Sequence, residues 1–140
     1  MSDRSAKLFE VVQQRLKSEN AHDVDSILKT FSDDGCFYDK PAEAKFYGKE
    51  SIATCYQELF EGVPDVKIEA KKIHVAADSV IVEVDLAGTH KGGWPKGLPG
   101  TDKQFVLPVC AVFCFDEQDR ISLATIYYDS ISLLKQIGMM

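Results

Sequence analysis

Residues 66–90, VKIEAKKIHVAADSVIVEVDLAGTH, mark the point where the hydrophobic period of this chain changes from 3.6 to 2. In SVIVEVDLAGTH, Val80, Val82, Val84 and Leu86 fall on one face, and Glu83 and Asp85 fall on the other. Carried forward, the same parity puts His90 on the apolar side at the strand's end. VKIEAKKIHVA precedes this strand across the turn Ala77-Asp78. KQFVLPVCAVFCFD and RISLATIYY follow it, divided by Glu117-Gln118-Asp119. The exception to these short turns is the Gly/Pro-rich connection THKGGWPKGLPGTD.

Upstream, the period is helical. Leu8, Val11, Val12 and Leu16 share one face of a first helix, with the charges on the other. A break at Asn20-Ala21-His22 leads to Asp23, an N-cap for a second helix through Ile27, Leu28 and Phe31. FSDDGCFYDKP turns and reads as a short strand ending before Pro41. Gly48 opens a third helix, ESIATCYQELF, that stops at Gly62 and Pro64. A last helix, SISLLKQIG, closes the chain. Helices first and strands together predict one α+β domain over residues 1–140 with a mostly antiparallel sheet.

Composition narrows the function classes. A formal charge of -6 with scattered lysines argues against a nucleic-acid partner, since phosphate neutralisation needs a concentrated basic face. No run reaches the ~18 apolar residues that cross a bilayer, so neither a membrane partner nor an anchor is expected. The charged N-terminus lacks a secretory core. Cys36, Cys55, Cys110 and Cys114 form no CxxC pair, which favours small buried hydrophobes in a reducing, cytoplasmic setting over a metal site. The long strand KQFVLPVCAVFCFD is apolar on both parities, Phe105 to Phe115 on one and Val106, Cys110, Val112 and Cys114 on the other. Two covers are then needed, and a homodimer through the outer face would supply the second. A solvated run of small residues is the alternative.

Three residues carry candidate chemistry. Counted along RISLATIYYD, Asp129 shares parity with Ile121, Leu123 and Tyr127, so desolvation would raise its pKa towards acid–base use. It is equally placed to N-cap SISLL. His90 enters the glycine-rich loop from the apolar side and could face a ligand, or be a satisfied polar residue. Asp39 ends the first strand beside Phe37 and Tyr38, as a base at a cavity mouth or as a turn residue before Lys40-Pro41. The loop carrying Trp94 and Leu98 suits a lid over an apolar pocket, or an ordinary hairpin connection. Tyr38, Tyr56, Tyr127 and Tyr128 could donate to a substrate carbonyl, or form core and cavity wall.

FSDDGCFYD, GKESIATCYQELFEGVPDVKIE, VDLAGTHKG with GLPGT, AVFCFDEQDRI and IYYDSISLLKQIG together resemble the SnoaL-like polyketide cyclases. These lie within the NTF2-like group of cone-shaped α+β folds. The likeness runs from about Leu8 to Ile137. It implies N-terminal helices packed on a curved sheet, an enclosed apolar pocket and a dimer or tetramer. It also implies no metal and no organic cofactor. By that resemblance Asp129 is the general acid–base of an intramolecular aldol closure, with His90 in the same cavity. The ketosteroid-isomerase branch instead uses an acid near Asp39. Expected substrate contacts are Trp94, Tyr127, Tyr38, Tyr56, Leu98 and Phe115, around a small apolar carbonyl compound; the alternative from another class is a non-catalytic dimer that binds a small hydrophobic ligand in the same pocket. The chain departs from the family in placing Lys40 between Asp39 and Pro41, in a connection lengthened by PAEAKFYG, and in Pro108 and Cys110 on the long strand.

Overall fold

A computed structural model describes residues 2–140. Helices α1 (Asp3–Asn20) and α2 (Val24–Lys29) come first, then strands β1 (Phe31–Asp39) and β2 (Ala44–Tyr47) and helix α3 (Gly48–Gly62). Strands β3 (Lys67–Val75), β4 (Ser79–Thr89), β5 (Gln104–Phe115) and β6 (Ile121–Tyr128) follow, and α4 (Ser130–Gln136) ends the chain. The strands form one sheet in the order β2-β1-β6-β5-β4-β3. Every neighbouring pair is antiparallel except β1 and β6, which run parallel.

The helix starts follow the caps. Ser2 Oγ accepts from Ser5 N at 3.0 Å for α1, and Asp23 accepts from Ser26 N at 3.1 Å for α2. Leu8 and Val12 of α1, Ile27 of α2 and Ile52 and Tyr56 of α3 are buried with Val80, Val82, Leu107 and Phe113 of the sheet. This is the expected α+β architecture.

Three local readings are corrected. PAEAKFYG is more than a connection, because Ala44–Tyr47 folds back as β2 against Cys36–Asp39. The charges of α1 are not all on its outer face, because Arg15 and Glu19 are buried. The side-chain count along β6 slips by one. Cys114 pairs with Leu123 but Phe115 with Ile121, so Ser122 is an extra residue in the ladder. Ile121, Ala124, Ile126 and Tyr128 consequently face inward, and Tyr127 faces out.

The ends of β5 and α4 explain the QIG ending. β6 pairs with β5 only as far as Val109. Beyond it, the Gln136 side chain takes a strand's place: Val106 N donates to Gln136 Oε1 at 2.8 Å, and Gln136 Nε2 donates to Val106 O at 3.0 Å. Ile137 is buried, and Gly138 at φ +78° turns the chain out of the helix, with Met139 N donating to Leu134 O at 2.8 Å.

Candidate active site

The pleat of the sheet builds one wall of an inner cavity. Val82, Val84 and Leu86 of β4 alternate inward, as do Leu107, Val109, Ala111 and Phe113 of β5. Leu16 of α1 and Tyr56 and Leu59 of α3 form the opposite wall, enclosing about 100 Å³. A second hollow of about 360 Å³ adjoins it, bounded by the β1–β2 hairpin, α4 and the loop after β4. Asp39, Cys55, Trp94 and Tyr128 line both hollows, so they stand at the passage between them.

Asp39 is the turn residue expected before Lys40-Pro41, and it also lies at the mouth of the cavity. Oδ1 accepts from Ala42 N at 3.3 Å and holds the hairpin turn, while Oδ2 accepts from the Tyr128 hydroxyl at 3.0 Å. Burial raises the carboxyl above its ordinary pKa, against the lowering effect of Tyr128, the Ala42 N–H and Lys96. The Tyr128 phenol is pushed up by burial and by the Asp39 charge, so it stays protonated and donates. The Cys55 thiol is pushed up to about 12, first by burial and then by Asp39 and Glu58, so it is a neutral wall rather than a nucleophile.

At the other end, Arg15 is 1% exposed. Its guanidinium carbon lies 4.9 Å from the Phe31 ring centroid, 5.5 Å from Tyr56 and 4.8 Å from Phe113. Nη1 donates to Thr30 Oγ1 at 3.0 Å, Nη2 donates to the Tyr56 hydroxyl, and Nε lies 3.3 Å from Glu19 Oε1. Burial raises the Glu19 pKa, and the neighbouring Arg15 only partly opposes it. Reasoning from the sequence missed this cluster. Its signal is the spacing Leu8, Val12, Arg15, Glu19, a single helical stripe whose last two members are charged.

His90 is buried at 0% exposure, as its parity predicts, but it lines neither hollow. Nε2 lies 2.7 Å from Trp94 O, which can only accept, so Nε2 carries a proton; Nδ1 lies 3.1 Å from Thr101 Oγ1. The histidine therefore braces the loop that presents Trp94. Gly62 lets that loop close on α3, since a Cβ there would lie 2.7 Å from the Trp94 Cβ and 2.9 Å from Gly92 O. Trp94 stacks on Phe105 with ring centroids 6.0 Å apart.

Asp129 is the N-cap of α4. Its Oδ1 accepts from Ile131 N at 3.0 Å and from Ser132 N at 3.2 Å, and the residue is exposed and lines neither hollow. The inward position expected for it fails because of the extra residue at Ser122. Tyr127, at 45% exposure, lies on the outer face for the same reason. Tyr38 is also outside the hollows, its ring 5.0 Å from Lys40 Nζ and 4.9 Å from Lys45 Nζ. Phe115 is core, beyond the cavity. Of the expected residues, the hollows bring together Asp39, Tyr56, Trp94 and Leu98. Among the described residues no group of three His, Cys, Asp or Glu is placed to hold a metal ion, and no helix is long and apolar enough to cross a membrane.

The comparisons with known proteins agree with this architecture. A family model for the SnoaL-like polyketide cyclases matches residues 10–137. No curated protein matches the sequence. A proposed SnoaL-like polyketide cyclase from Jannaschia sp. CCS1 superposes with a TM-score of 0.90 at 18% identity, covering 100% of this chain and 97% of that one. One from Shewanella denitrificans OS-217 gives 0.82 at 22% identity, covering 95% and 98%. A hypothetical protein with a ketosteroid isomerase-like fold from Catenulispora acidiphila DSM 44928, in complex with trimethylamine, gives 0.80 at 21%, covering 94% of each. The fold is accordingly the NTF2-like α+β cone, and with the family model spanning nearly its whole length, the chain belongs to the SnoaL-like polyketide cyclase family.

Proposed function

We propose that the protein is a cofactor-independent proton-transfer enzyme acting on a small apolar carbonyl compound, with Asp39 as its general acid–base. One observation carries this reading. Asp39, raised in pKa by burial and hydrogen-bonded to Tyr128, stands where an apolar cavity meets its vestibule. The Asp39 carboxylate removes a proton from the carbon next to the carbonyl, and the C–H electron pair moves to the carbonyl oxygen as an enolate. The enolate carbon can then attack a second carbonyl of the same molecule. A C–C bond forms, and the new alkoxide takes the proton back from Asp39, an aldol ring closure. If the proton instead returns at a conjugated carbon, the result is an isomerisation. Neither outcome changes the overall oxidation state, so no redox cofactor is required. Trp94 shields the passage from water.

Membership of a polyketide cyclase family supports the ring-closing outcome. Asp129 would then serve the fold rather than the proton. The second partner in this reading is another copy of the chain. Val106 at 52% exposure and Tyr127 at 45%, with half-buried Cys110 opposite Tyr127 and Val112 next along β5, form the outer face a homodimer would cover. Four free cysteines support a reducing, cytoplasmic setting. The test of the acid–base assignment is solvent deuterium exchange into a simple methyl ketone, compared between Asp39→Asn and Asp129→Asn.

A further inference from the structure

The Tyr56 hydroxyl is buried in the inner cavity wall and accepts from Arg15 Nη2. Among the described residues its own proton has no protein acceptor. Arg15 fixes the oxygen from one side, and the aromatic rings of Phe31 and Phe113 hold the guanidinium in place. A phenol that accepts from a cation is a stronger donor than a free one. A buried donor without an acceptor is costly, so this one is suited to an acceptor supplied by a ligand. Glu19 Oε1 already lies 3.3 Å from Arg15 Nε, so the guanidinium has its carboxyl neighbour, and the free place at the closed end suits a single oxygen acceptor opposite Tyr56.

Resting on the acid–base reading above, we propose that the substrate enters carbonyl first. Its keto oxygen accepts from Tyr56 at the closed end, and the acidic carbon lies between Tyr56 and Asp39. Tyr56 touches the substrate and receives the developing enolate charge as a hydrogen-bond donor. Arg15 is a positioning residue that acts through Tyr56. The substrate class is then an apolar ketone whose leading end bears the enolisable carbonyl, with any bulkier portion left in the vestibule.

Acetophenone and ethylbenzene, matched in shape, test this by quenching of Trp94. The ratio of their affinities should shift about tenfold towards the hydrocarbon in Tyr56→Phe, the loss expected for one buried hydrogen bond. A ratio unchanged in a folded Tyr56→Phe overturns the proposal. Carbonyl-13C acetophenone gives a reading that does not need that variant. Bound to the wild type and to Tyr128→Phe, its resonance should lie downfield of its position in cyclohexane. It should move upfield in Arg15→Met and return part-way in Arg15→Lys. A wild-type resonance at the cyclohexane position, or one that moves there in Tyr128→Phe, overturns the proposal. The same resonance in Asp39→Asn should be unchanged, so a failure of Asp39 as the base and a failure of Tyr56 as the donor are separate results.

Discussion

The Tyr128 hydroxyl donates to Asp39 Oδ2 across 3.0 Å, joining two residues 89 positions apart on the parallel strands β1 and β6. That pairing orients the carboxylate, and burial still leaves its pKa raised. A group whose folded pKa lies above its unfolded value favours folding below the unfolded pKa, near 3.8 for this carboxyl, and that contribution is lost as pH rises through the folded pKa. Ionised Asp39 therefore opposes folding at neutral pH.

Replacing the charge while keeping the shape should relieve this. Asp39→Asn is expected to be at least as stable as wild type at pH 7, with the advantage shrinking towards pH 4. Thermal denaturation at the two pH values checks it. A variant less stable at pH 7 but not at pH 4 would mean that the carboxylate stabilises the fold.

Asp129 should behave as a cap. Asp129→Ala is expected to lower stability by about 1 kcal/mol, the usual cost of a lost N-cap. Asp129→Asn should lose less, because the amide oxygen can still accept. Urea denaturation measures both.

The sequence showed the helices, most caps and every strand except β2 because each rests on local periods and turn chemistry. Asp23 as the cap of α2 and the inward run Val80, Val82, Val84 and Leu86 are examples. The site was less legible. One extra residue at Ser122 reverses the faces of β6, which exchanges Tyr127 for Tyr128 at the cavity and leaves Asp129 outside. Such a bulge is defined by the partner strand, so β6 alone could not reveal it. Arg15 and Glu19 lay on the apolar stripe of α1 all along, but charged residues are so seldom fully buried that the stripe ended, on that reading, at Leu16.

His90 should stabilise the loop rather than react. His90→Ala removes both ring nitrogens from a fully buried position and strands the Trp94 carbonyl. A loss of about 3 kcal/mol is expected, from the unmet acceptor and the void together. Trp94 emission should shift to the red as the loop loosens. Unchanged stability and emission would contradict the bracing role.

The outer face should associate. Sedimentation of the wild type is expected to give a dimer, and Val106→Glu a monomer with its fold intact by circular dichroism, because the new charge would be buried without a partner. A wild type that sediments as a monomer would contradict this.

The most direct test of the central claim is solvent deuterium exchange into the methyl group of acetophenone, followed by proton NMR. Wild type should exchange faster than buffer, with the rate rising as Asp39 ionises. Asp39→Asn should lose about 100-fold or more, the scale of general base catalysis, while Asp129→Asn should keep the wild-type rate. Exchange that survives in Asp39→Asn and is lost in a folded Asp129→Asn, or a wild type no faster than buffer, would contradict the account.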